Sequence, residues 1–180
     1  MIGRDVRLFV AAYPPEDSAR AMLRAMRELG PVEHRATPVE QVHLTLHFIG
    51  DTRQKDVEQT IESVERSCSG LDAFELRPTR LVTLPSRGRP RLIACETDAP
   101  PTLMELHSRL VRRLAKNPRQ KPGDRYVPHL TLCRFGRSAK PTDVDHPVEI
   151  ASFVVDRVCL MRSVLRSEGA EHREVLSVVL

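Results

Sequence analysis

The chain has 180 residues, 41% of them hydrophobic, with 28 Lys and Arg against 24 Asp and Glu for a net charge of +4. That length suits one domain, or two small lobes sharing a core, and the apolar fraction is enough to bury a sizeable interior. No apolar run approaches the roughly 20 residues of a membrane span, and Met1 to Asp5 carries no cationic leader pattern, so a cytoplasmic protein that engages no membrane is expected.

Arg7 to Tyr13 reads as a buried strand, after which Pro14 and Pro15 with Glu16 and Asp17 start a helix in the usual way, with proline and acids in the first turn. Ala19, Met22, Leu23 and Met26 recur at helical spacing until Gly30 and Pro31 stop it. Val42 to Ile49 is strand-like, and Gly50-Asp51 turns into a helix with Val57, Ile61, Val64 and Cys68 on one face. Phe74 and Leu76, then Leu81 to Leu84, are extended segments. A basic loop from Pro85 to Pro90 leads to a strand from Arg91 to Glu96. Pro100-Pro101 starts a third helix with Leu103, Leu106, Leu110, Val111 and Leu114 as its apolar face. His107 falls beside that stripe and reads as structural. Lys116 to Arg125 is a basic loop, Val127 is pushed toward extended geometry by Pro128, and Phe153 to Met161 and Val175 to Leu180 read as closing strands. No Pro/Gly/Ser-rich linker divides the chain.

Two of these strands carry the same tetrapeptide, His43-Leu44-Thr45-Leu46 and His129-Leu130-Thr131-Leu132. Side chains alternate along a strand, so in each copy the histidine and threonine share one face while the leucines anchor the other. A lone His-x-Thr is ordinarily only a hydrogen-bonded surface pair. An internal repeat is the better explanation for two copies, and the α+β order, with one motif strand in each half, would bring them together about a pseudo-twofold axis.

Several chemistries lack their residues. The cysteines Cys68, Cys95, Cys133 and Cys159 are scattered without Cys-x-x-Cys spacing, so reduced thiols with neither a disulfide framework nor a zinc site are expected. His47 lies four residues after His43, but strand geometry does not give these two the one-turn relation of a helical metal motif, and no third ligand stands at suitable spacing. There is no Gly-x-Ser-x-Gly elbow and no phosphate-cradling Gly-x-x-x-x-Gly-Lys loop. Trp is absent and Tyr occurs twice, so base-stacking platforms are scarce. Metal-free acid–base chemistry remains. Of two imidazoles, one can be neutral and accept a proton while the other is charged and donates one. That division of labour suits hydrolysis of a phosphodiester. Thr45 and Thr131 could bond the non-bridging oxygens, with Arg134 as a further clamp.

In these residues the chain resembles the two-histidine phosphoesterase superfamily, specifically its RNA 2',3'-cyclic phosphodiesterase branch, also called 2'-5' RNA ligases. The resemblance runs through Arg7 to Ala11, His43 to Gly50, Arg89 to Ile93 and Pro128 to Arg134. It implies a single two-lobed domain over residues 1–180, with two antiparallel sheets lining a central cleft and helices outside. It further implies hydrolysis of RNA 2',3'-cyclic phosphate ends to 2'-phosphomonoesters, with weak 2'-5' ligation as a side activity. His43 is then the general acid, His129 the general base, and Thr45, Thr131 and Arg134 the phosphate ligands. No metal, cofactor or membrane is implied, and a monomer is expected. Small cyclic-phosphate nucleotides, ADP-ribose cyclic phosphate, or RNA ends bound without turnover are the alternative ligands. At three positions the chain departs from the pattern: His47 stands where Lys is common, Ala94 where Trp is common, and His172 where a Tyr is often found.

Overall fold

The computed structural model describes residues 5–115, 126–166 and 169–180, and the basic segment 116–125 falls outside them. Strand β1 (Val6–Ala12) and helix α1 (Glu16–Glu28) come first, then β2 (His34–Ala36), β3 (Leu44–Thr52) and α2 (Val57–Cys68). Next are β4 (Phe74–Leu76), β5 (Pro78–Leu84), β6 (Leu92–Thr97) and α3 (Pro101–Leu114). The chain closes with β7 (His129–Phe135), β8 (Asp145–Pro147), β9 (Phe153–Val155), β10 (Arg157–Arg166) and β11 (Gly169–Val179).

The three helices follow from their sequences. Pro15 precedes Glu16 and Asp17 in α1, Arg27 sits in its last turn, and Ala19, Met22, Leu23 and Met26 are its buried stripe. Pro101 occupies the first turn of α3, where its missing N–H costs nothing, and Leu103, Leu106 and Leu110 are buried. In α2 the buried positions are Thr60, Val64, Ser67 and Cys68. Helix α3 packs on β3, α1 on β7, and α2 on α3, β10 and β11. The main core therefore lies between the helices and one face of the sheet.

The main sheet runs β11-β10-β1-β3-β7-β6-β5-β8, with β2 also on β7; β4 and β9 form a separate pair. The fold is α+β, and the main sheet has two antiparallel halves. They meet at one registered pair, Leu44 of β3 opposite Leu130 of β7, so what the resemblance implied as two sheets is one ladder joined at a single point. A second, small apolar cluster of Phe9, Ala11, Cys159 and Met161, with Tyr13 against it, covers the sheet face away from the helices.

Two strands escaped the pattern reading. His34–Ala36 and Asp145–Pro147 are short and wholly exposed, so neither shows an alternation of apolar and polar residues. The closing hairpin is also longer than its apolar ends suggest, because the middle of β10 and β11 is polar and faces the cleft or the sheet edge.

Candidate active site

Leu44, Leu46, Leu130 and Leu132 are all fully buried in the main core. Alternation then turns His43, Thr45, His129 and Thr131 to the opposite face. Leu44 and Leu130 are direct partners, so continuing that antiparallel register by one residue sets His43 opposite Thr131 and Thr45 opposite His129. Each imidazole is thus matched with the hydroxyl of the other motif. His43, Thr45, Thr131 and Arg134 line one cavity with Arg35, Thr37, Gln41 and His172. Its volume is about 220 Å³, below the roughly 300–1,000 Å³ of pockets that engulf a whole drug-sized ligand. That size suits a phosphate-sized group better than a complete oligonucleotide.

Both motifs end in the same irregularity. Between β1 and β3 the register passes from Ala11–Thr45 to Val10–His47, skipping Leu46. Between β6 and β7 it passes from Ala94–Thr131 to Ile93–Cys133, skipping Leu132. Each is a β-bulge at the second leucine of its motif, and each frees a carbonyl. His107 Nδ1 donates to the Leu46 carbonyl at 2.7 Å, and the Thr37 N–H donates to the Leu132 carbonyl at 2.8 Å. The bulges also reverse the parity of the residues beyond them. His47 pairs with core-facing Val10 and lies near His107, which together with burial lowers its pKa; it does not line the cavity. Cys133 likewise turns into the core, leaving Arg134 on the cleft side.

The local hydrogen bonds repeat as well. His43 Nδ1 donates to the Gln41 carbonyl at 2.7 Å, and His129 Nδ1 donates to the Val127 carbonyl at 2.8 Å. Each bond fixes the ring and its tautomer, so the Nε2 of each imidazole, when the ring is neutral, is left as the acceptor. Their surroundings differ. The His43 ring is packed among Phe9, Tyr13 and His172, with centroids at 5.2, 5.6 and 5.2 Å. That burial, reinforced by positive charge on His172, Arg134 and His129, lowers its pKa to about 4 despite the bond to Gln41. His129 lies nearer solvent. Burial also lowers the His172 pKa and raises that of Tyr13. The Tyr13 hydroxyl and His172 Nδ1 are buried, and neither has a hydrogen-bond partner among the described residues.

A residue the sequence reading missed completes the cavity. Arg35 of β2 is the registered partner of Arg134 of β7, and both line it. Like charges placed directly opposite on a sheet repel, and neither guanidinium has a carboxylate partner among the described residues. The pair is a ready fork for an anion. Its only sequence signal was an arginine in a short polar run without alternation.

Other candidates sit elsewhere. His107 is stacked on Tyr126 at 3.8 Å, and the Tyr126 hydroxyl donates to the Thr45 carbonyl at 3.0 Å, so both brace β3 from the core side. The four cysteines are buried, and burial raises the thiols of Cys68 to about 11 and Cys95 to about 12, which disfavours a nucleophilic thiolate. Among the described residues no three His, Cys, Asp or Glu side chains are grouped to hold a metal, and no helix is long and apolar enough to cross a membrane.

Comparison with known proteins gives one consistent result. The family-level sequence model of the 2'-5' RNA ligase superfamily matches residues 14–165. An RNA 2',3'-cyclic phosphodiesterase of Thermus thermophilus is 26% identical over 170 residues, covering 91% of this chain and 85% of the relative. One of the same name from Aquifex aeolicus is 23% identical over 172 residues, covering 91% and 92%. The fold matches crystal structures of TT0787 from T. thermophilus, at TM-score 0.82, 23% identity and 97% of both chains, and of E. coli LigT complexed with 3'-AMP, at 0.79, 20% and 98% of both.

Proposed function

The chain belongs to the 2'-5' RNA ligase superfamily, and on that footing we propose that it hydrolyses RNA 2',3'-cyclic phosphate ends to 2'-phosphomonoesters without a metal, using His43 and His129 as an acid–base pair. The observation that carries this reading is the pairing of Leu44 with Leu130, which puts two identically hydrogen-bonded imidazoles on one face of the sheet, His43 lining a phosphate-sized cavity with Thr45 and Thr131, and His129 on the strand beside it without lining it. The names of the T. thermophilus and A. aeolicus relatives support the substrate class.

His129 Nε2 accepts a proton from water, whose oxygen adds to phosphorus in line with the 3' oxygen. The P–O3' bond breaks and His43 delivers its proton to that oxygen, leaving a 2'-phosphate and a 3'-hydroxyl. Thr45, Thr131, Arg134 and Arg35 hold the non-bridging oxygens, where charge accumulates. For His43 to act as acid it must be protonated, and the negative charge of a bound phosphate favours the charged ring, opposing first the burial and then the cationic neighbours that lower its pKa. A 5'-hydroxyl in place of water would give a 2'-5' linkage, so weak ligation belongs to the same proposal. The converse assignment, His43 as base and His129 as acid, is favoured by the burial that keeps His43 neutral in the free protein.

The test is incubation of purified protein, with EDTA present, with an RNA ending in a 2',3'-cyclic phosphate, followed by identification of the terminal phosphate. A 2'-phosphate that disappears in His43→Ala and His129→Ala is expected. A 3'-phosphate product overturns the bond assignment. Turnover of small cyclic nucleotides alone overturns RNA as substrate, and tight binding of RNA ends without turnover makes the chain an end-binding module.

A further inference from the structure

Arg134 lines two cavities. Beyond the His43 cavity it forms one wall of a groove of about 710 Å³ between residues 85–91 and the segment that follows β7. Arg87, Arg89, Arg91 and Arg137 line the same groove, and no Asp or Glu does. Several arginines elsewhere are paired: Arg20 with Glu16, Arg53 with Asp56, Arg66 with Glu62, Arg80 with Glu96 and Arg109 with Glu105. In the groove only Arg89 is occupied. Its guanidinium donates to the carbonyls of Gly136 at 3.1 Å, Ala139 at 2.7 Å and Arg137, tying the two walls together. The other four make no side-chain hydrogen bond or ion pair among the described residues. Concentrating unpaired like charge in a shaped groove costs folding energy and returns none, whereas it raises the local concentration of a polyanion.

We infer that this groove binds the phosphodiester backbone of the single strand leading to the terminal cyclic phosphate, which makes the protein selective for oligomers over mononucleotides. The inference rests on the phosphodiesterase reading of the cleft. Arg134 is the link, because the side chain that faces the terminal phosphate also opens the groove. Phe135 is the groove's one aromatic residue. Recognition is therefore electrostatic, with strong salt dependence and little base preference.

The experiment compares a short oligoribonucleotide and the corresponding mononucleotide, each ending in a 2',3'-cyclic phosphate, across a salt series, for wild type and for the double variant Arg87→Gln/Arg137→Gln. Binding of the 2'-phosphate-ended oligomer by fluorescence anisotropy runs in parallel. The double variant should raise the oligomer's KM and Kd about three- to tenfold and lower the log Kd against log salt slope by ~2. Mononucleotide kinetics should stay as in wild type. An unchanged oligomer, an equal loss for both substrates, or a wild type that binds the oligomer no better than the mononucleotide overturns the groove assignment. So does binding of an oligoglutamate as tight as that of the RNA. If no cyclic phosphate is turned over, the phosphodiesterase reading fails on its own, and the anisotropy comparison still decides the groove.

Discussion

Leu44 of β3 stands directly opposite Leu130 of β7, both fully buried, at the one registered pair through which the two halves of the sheet meet. The register at this pair sets the cross-strand matching of His43 with Thr131 and of Thr45 with His129. Leu44→Ala or Leu130→Ala should cost about 2–5 kcal/mol, the range for an incompletely collapsed core cavity. Either should also lower kcat by roughly tenfold or more, because reacting groups misplaced by an ångström lose rate steeply. Thermal denaturation and kcat measured on the same samples check this, and full turnover in a destabilised variant would remove the positioning role.

His43→Ala and His129→Ala should each reduce turnover by about two to four orders of magnitude with the fold retained, the scale of a general acid or base. The wild-type profile of kcat/KM against pH should be bell-shaped, with one limb near the depressed His43 value of about 4 whichever of acid and base His43 is, because the profile reports the two values of the pair and not their roles. EDTA should leave it unchanged. Strong inhibition by EDTA would point to a metal instead.

A substrate with sulfur in place of the 3' oxygen orders the two histidines. A thiolate departs without a proton, so the variant lacking the acid should recover most of its loss on that substrate and the variant lacking the base should not. Rescue of His43→Ala assigns His43 as acid; rescue of His129→Ala assigns the converse.

Burial of His43 also has a stability signature. Its pKa in the fold, about 4, lies below the ordinary value of 6.5, so the folded state binds fewer protons than the unfolded state between those values. The contribution is therefore fully present above pH 6.5 and is lost as pH falls toward 4, amounting to on the order of 3 kcal/mol. Urea titrations of wild type and His43→Gln across that window should converge as pH falls. Parallel curves would mean that the ring protonates without opposition.

His107→Ala should destabilise by about 1–3 kcal/mol, since it strands the buried carbonyl of Leu46. The shape of the pH–rate profile should not change. A shifted limb would show that His107 reaches the reacting groups.

The placement of the candidate site residues was legible because the repeat is chemical as well as textual: His43, Thr45 and Thr131 follow strand alternation to the cavity, His129 to the same sheet face beside it, and the leucines between them to the core. His47 shows where counting by twos stops working. Four residues beyond His43 it should share that face, but the skipped register at Leu46 sends it to the core side beside His107, and a bulge has no signature in a single sequence. Arg35 was hidden for another reason. Its strand is three exposed residues long, and what gives it meaning is the opposed Arg134, which lies 99 positions later in the chain and is linked to it only by sheet pairing.

Because the halves share one registered pair, the gap between the imidazoles is not set by a run of interstrand hydrogen bonds. Beneath the two strands lie separate helices, α3 packed on β3 and α1 on β7. Met22, Met26, Leu103, Leu106 and Leu110 fill the space under the two strands, and none of them lines the cavity. A change in that volume would alter the spacing of the two motif strands while leaving every side chain that lines the cavity the same.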